Sequence, residues 1–140
     1  MNHIVKPVLE GVRGVLIDAL PTEHDARIWL YRVPGGINAE YPRITLDAVQ
    51  SEAEQRSTFD RVGIEVDVEV GVFTKEAATV LDLEGTVTDA LVQRENAPKP
   101  SGAAFLHLAM LDTAEIVEPR SDVSDVFGRV VRVRYHYRAN

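Results

Sequence analysis

From Val62 to Phe73 the chain reads VGIEVDVEVGVF. Val62, Ile64, Val66, Val68, Val70 and Val72 share one parity, and Glu65, Asp67 and Glu69 share the other. Side chains of a strand alternate between its two faces, so this segment predicts a strand with one β-branched face and one acidic face. Twelve residues at ~3.3 Å each span about 40 Å, roughly twice the usual strand. A chain of 140 residues can hold such a strand in a strongly twisted sheet, or as a ribbon reaching beyond its own core. The second arrangement points to assembly rather than catalysis.

The elements around this strand follow from period and punctuation. Val8, Leu9, Val12, Val15, Leu16, Ala19 and Leu20 recur at helical spacing, with Pro7 in the first turn and Pro21 as the stop. Arg27–Tyr31 predicts a short strand. RVPGGINAEYP, punctuated by Pro34, Gly35, Gly36 and Pro42, predicts irregular chain. Arg43–Gln50 alternates again, with Ile44 and Leu46 on one side, so it and the long strand form a hairpin with a polar tip at Ser51–Asp60. Val80, Leu83, Val87, Ala90 and Leu91 mark a second helix over Lys75–Gln93, with Thr74 as its N-cap and Glu76 in its first turn. Ala103–Leu111 is apolar on both parities, which predicts a central strand covered on both faces. FGRVVRVRYHYR closes the chain, with Val131, Val133, Tyr135 and Tyr137 on one face and Arg132, Arg134, His136 and Arg138 on the other. The order α-β-β-β-α-β-β predicts an α+β fold. In it a mainly antiparallel, twisted sheet with a long hairpin packs two helices on one face, as a single domain over residues 1–140.

Composition excludes several function classes. The chain has no cysteine, so it forms neither disulfides nor thiolate metal sites. Its N-terminus lacks the apolar core of a signal peptide, and no apolar run approaches the ~20 residues of a membrane span. A net charge of −7 favours solubility and disfavours general affinity for nucleic acid. The four histidines are scattered and match no ligand-pair spacing, and His107 inside FLHLAML reads as a hydrogen-bonded core histidine. Neither a nucleophile elbow nor a phosphate loop is present. No catalytic, cofactor-binding or metal residue is therefore assigned, and no cofactor is expected.

An opening helix ending at Pro21, then RIWLYRVP, a loop, YPRITLD, the long alternating strand, a helix and the paired closing strands resemble the phage tail terminator (tail completion) family. The resemblance covers nearly the whole chain, and its most recognisable part is the VP…YP spacing between the first two strands. The segment DTAEIVEPRSDVSD before the last strand departs from the pattern. The resemblance implies a non-enzymatic virion component at the head-proximal end of the tail, assembled in the host cytoplasm. It implies a ring, commonly of six copies, that caps the tail tube and stops its polymerisation. The partners implied are further copies of the chain, the tail-tube protein and the head-side connector or head-completion protein, with DNA passing through the bore and no membrane.

Two charged stripes are the candidate contact features. Glu65, Asp67 and Glu69 form a linear ladder, which diverges where a metal site would need oxygens converging on one point. It is either a solvated face or a surface facing a neighbouring subunit or a lumen. Arg132, Arg134, His136 and Arg138 form a basic stripe of similar length. On neighbouring strands the two stripes would oppose each other, each pair worth roughly 0.2–1 kcal/mol. The basic stripe could instead meet the acidic stripe of the next subunit in a head-to-tail ring. Use of the stripe on DNA lacks interleaved stacking aromatics. Core packing accounts for Trp29 and Tyr31. Tyr41 and Phe59, beside polar loops, are the aromatic contact candidates, together with Pro34, Gly35, Gly36, Arg132, Arg134 and Arg138. Two alternatives come from other classes: a small α+β ligand-binding protein or enzyme, which needs convergent polar groups in an apolar pocket, and a dimeric interaction domain pairing through its long strand edge.

Overall fold

The long alternating segment is a twelve-residue strand, and Ile64, Val66, Val68, Val70 and Val72 along it have no exposed surface. The computed structural model describes residues 3–21, 28–30, 41–52, 63–116 and 126–139. In them, α1 (Val5–Ala19) is followed by β1 (Ile28–Leu30), β2 (Arg43–Glu52), β3 (Gly63–Thr74), α2 (Ala77–Leu91), β4 (Ala103–Ile116) and β5 (Phe127–Ala139). The fold is α+β, with the element order expected from the sequence. The strands form one five-stranded sheet in the order β1-β2-β3-β5-β4. β1 runs parallel to β2, and every other pairing is antiparallel.

Both helices pack on the face carrying the valines of β3. Helix α1 contributes Val8, Leu9, Val12 and Leu16, and α2 contributes Val80, Leu83, Val87, Ala90 and Leu91. Val131, Val133, Tyr135 and Tyr137 of β5 complete this core, and the Tyr137 hydroxyl donates to the Pro98 carbonyl at 2.7 Å. Burial holds the phenols of Tyr135 and Tyr137 neutral well beyond the ordinary tyrosine range. Full burial of a leucine such as Leu9 or Leu16 is worth roughly 1.5–3 kcal/mol, which offsets the glycines that weaken α1. Gly11 has a packing reason as well, since a Cβ there would lie 2.8 Å from Pro98 Cβ.

Four expectations are corrected. First, of the two arrangements open to β3, the projecting ribbon falls, and with it pairing through the long strand's edge. β3 lies between β2 and β5 with its apolar face covered along its length, so it offers no free edge for a dimer. Second, β4 is an edge strand, not a central one. Its register with β5 slips between Phe105 and His107 and again between Met110 and Asp112. Each bulge resets the parity, so Phe105, Leu108 and Met110 pack against the core at uneven spacing. Leu106 and Leu111 fall at the two slips and are each 41% exposed. Apolar residues on both parities thus reflect two bulges, not two covered faces. Third, the first bulge turns His107 onto the exposed outer face, opposite His136. Fourth, Glu76 is the N-cap of α2 and makes no side-chain cap. Thr74 ends β3 and donates its hydroxyl to the Glu76 carbonyl at 2.6 Å.

Candidate functional site

The sheet face opposite the helices carries the charged stripes, and strand register sets their geometry. Three rows run across the strands from β2 to β4. Asp47, Glu69, Arg132 and Asp112 form the first, Val49, Asp67, Arg134 and Ala109 the second, and Ser51, Glu65, His136 and His107 the third. The acidic and basic stripes therefore lie side by side in one chain. Arg134 grips Asp67 with two bonds, Nε to Oδ1 at 2.7 Å and Nη2 to Oδ2 at 3.0 Å, and its Nε lies 3.7 Å from Glu65. Arg132 donates Nε to Glu69 at 2.9 Å and Nη1 to both Asp112 oxygens at 3.0 and 3.2 Å. It thereby ties the edge strand β4 to the central strand β3 across β5. The hydrogen bonds to Glu69 and Asp112 raise the Arg132 pKa, and the bond to Asp67 raises that of Arg134, because both favour the charged guanidinium.

Charge is unevenly distributed over these rows. The first holds three carboxylates and one guanidinium, with Asp47 directly opposite Glu69. Like charges at such positions are destabilising. Asp47 accepts from the Ala48 amide at 2.8 Å, and Val49 beside it is 69% exposed. The second row is balanced. In the third, His107 and His136 stack with ring centroids 4.0 Å apart and planes at 16°, and His136 Nδ1 lies 3.6 Å from Glu65. Arg138 continues the basic stripe opposite Gly63 and Ala104, and its buried Nε has no hydrogen-bond partner among the described residues.

At the other end of this face the outer side of the sheet is buried. Phe73, 3% exposed, packs close to Gly71 and Gly128, and the Arg43 guanidinium sits 4.7 Å from its ring centroid. The Tyr41 ring takes Arg43 at 5.6 Å and Lys75 at 5.7 Å. Tyr41 is thus held between two cations and stays partly exposed. Pro34, Gly35, Gly36, Phe59, Tyr31, the side chain of Trp29 and the hairpin tip beyond Glu52 lie outside the described residues. Of the acidic segment 112–125, residues Asp112–Ile116 are the end of β4, and the rest lies outside too.

Two pairings were missed from sequence. Arg129 has the parity of the valine face, and the covering helix meets it with Glu84, which accepts from Nε and Nη2. The signal was an arginine in phase with a buried stripe, and its partner is visible only once α2 is placed. Asp112 falls just past the strand expected at Ala103–Leu111, in the segment that departs from the family pattern, because the second bulge hides its alignment with Arg132. No group of three or more His, Asp or Glu able to hold a metal occurs among the described residues. An open cleft of about 550 Å³ is lined by Arg94, Glu95, Lys99, Ala103, Ala104 and Phe105. Arg94 there donates to the Leu106 carbonyl at 2.8 Å and lies over the Phe105 ring.

The fold recurs in a virion. A chain of the virion of a native gene transfer agent (GTA) particle superposes with a TM-score of 0.70. The match covers 99% of this chain and 100% of that one, at 18% identity. The bacteriophage SPP1 gp17 protein gives a TM-score of 0.46 at 16% identity, over 91% of this chain and 87% of that one. No protein-family profile and no curated protein sequence matches. At these identities the likeness is one of fold.

Proposed function

We propose that this chain is a structural, non-enzymatic virion protein of the tail terminator kind, acting as a single domain. Six copies form a ring on the head-proximal end of a phage tail tube. The ring covers the surface on which another tube layer would grow, and its other side receives the head-side connector. The observation that carries this reading is the end-to-end match, in both directions, to a chain of a virion particle. The element order supports it, as does a sheet whose charged face has no helix over it among the described residues. Contact candidates are Pro34, Gly35, Gly36, Tyr41 and Phe59 around the loops, with the stripes Glu65, Asp67, Glu69 and Arg132, Arg134, Arg138. If the open face lines the bore, its excess of carboxylates in the row of Asp47, Glu69 and Asp112 repels passing DNA.

Light scattering over a concentration series, with negative-stain images of the same fractions, tests the ring. Six copies of 15.5 kDa give a particle of about 93 kDa with a central hole. A dimer at every concentration would overturn the ring. A monomer that fails to cap added tail tubes would sink the proposal.

The role of the open face needs a variant that leaves the ladder intact. Lysines at Glu65, Asp67 and Glu69 would face Arg134 and Arg132 and damage the monomer itself. Asp47→Lys avoids this and relieves the Asp47–Glu69 repulsion. It should stabilise the monomer to urea by roughly 0.2–1 kcal/mol. Rings that still form from it place this face in the bore or in solvent, and a stable monomer that no longer assembles places it between subunits.

A further inference from the structure

The two histidines of the third row meet at the first bulge of the edge strand. The bulge after Phe105 sets His107 against His136, and the rings stack face to face at 4.0 Å. We propose that this pair is an acid-sensitive clasp on the first half of β4: with at most one proton it binds the edge strand to β5, and a second proton loosens it. The inference is independent of the ring reading, because it rests on this chain alone.

The surrounding groups explain why the second proton matters. From β3, Glu65 lies 3.6 Å from His136 Nδ1, and Asp67 lies one row away. From β5, Arg134 and Arg138 flank His136 along the strand. From β4 the facing group is His107, and α1 and α2 are on the other side of the sheet. One imidazolium is accommodated, because Glu65 lies beside the pair and a neutral ring can stack on it. Two stacked imidazoliums repel, and Glu65 is already shared with Arg134. Burial, then His107, push the His136 pKa below its ordinary 6.5, against the opposing pull of Glu65. An unfolded chain takes this proton near pH 6.5, before the folded chain does. The clasp's contribution is therefore complete above that pH and is lost as pH falls below it, down to the lowered folded value. The other ties on this half of β4, Arg94 to the Leu106 carbonyl and Phe105 edge-on to Tyr137, carry no imidazole.

The test is NMR on the full chain between about pH 8 and about pH 5, the range in which imidazoles titrate. It follows the His136 ring protons and the exchange protection of the amides of residues 104–108, corrected for intrinsic rates. In the parent protein, protection there falls several-fold across the range, while amides of β3 hold. In His107→Phe, which keeps an aromatic stack without a proton to gain, the His136 midpoint moves up and the loss of protection shrinks several-fold. If that variant does not fold, His107→Gln serves the same comparison. A His136 midpoint unmoved by either substitution, or equal protection in the parent at both ends of the range, overturns the proposal.

Discussion

Gly128→Val is expected to lower stability by about 3 kcal/mol, the upper part of the range for overpacking a filled site, and the melting temperature by roughly 10 °C for a chain of this size. Gly128 lies on the outer face of β5, paired with Phe73 on one side and Ile116 on the other. A Cβ there would stand 2.6 Å from the Ile116 carbonyl oxygen, 3.0 Å from Phe73 Cε1 and 3.1 Å from Ile116 Cγ1. The first is backbone held in the β4–β5 ladder, so it cannot turn aside. Nor can Phe73 retreat easily, with the Arg43 guanidinium over its ring. Valine adds two methyl groups to this contact. Urea unfolding of the variant reads the loss directly. Gly14 and Gly85 provide the control: a Cβ at either helical position meets nothing within 4 Å. Alanine there should stabilise by roughly 0.5–1 kcal/mol through helix propensity and a less flexible unfolded chain. A Gly128→Val protein as stable as its parent would mean that β4 and β5 are not registered as described.

The same region shows which structure was legible in the sequence. The valine face of β3 was readable because no bulge interrupts residues 63–74, so the two-residue period runs from end to end. Helix α1 was readable for a similar reason, with Pro7 and Pro21 framing an uninterrupted stripe. In β4 the two bulges change which parity faces the core, and one-dimensional alternation cannot register an inserted residue. Leu106 and Leu111 then look like a second buried face, and His107 looks like core. The end of β3 is a different case. Phe73 lies on the outer parity and is buried because Gly71 and Gly128 leave room beside it, the second of them 55 positions away in the chain. The charged stripes were each legible, and their opposition was foreseeable once β3 and β5 were neighbours. What no periodicity supplied was Asp112 as the third carboxylate of the first row, or Glu84 reaching Arg129 from α2.

Arg134→Glu should cost about 1–2 kcal/mol. The parent interaction is a two-bond clamp on Asp67 with Glu65 close by, on side chains 35% and 38% exposed. A cross-strand pair of this kind contributes roughly 0.2–1 kcal/mol, reduced by solvent screening. A like-charge pair costs a similar amount, and the new carboxylate would face two existing ones. Asp67→Arg alone should destabilise less, because its guanidinium can turn toward Glu65 or Glu69 on its own strand. The double variant Asp67→Arg with Arg134→Glu restores an opposite pair at the same register and should recover more than half of the Arg134→Glu loss in urea unfolding. No recovery would mean that the pair contributes through geometry the swap cannot reproduce, not through charge. The same double variant separates two roles of the open face, since it leaves the net charge unchanged and reverses only the local polarity. If stability returns and rings form, the ladder acts within the chain, holding β3 and β5 in register. If stability returns and rings do not, a neighbouring subunit is sensitive to which strand carries the positive charge.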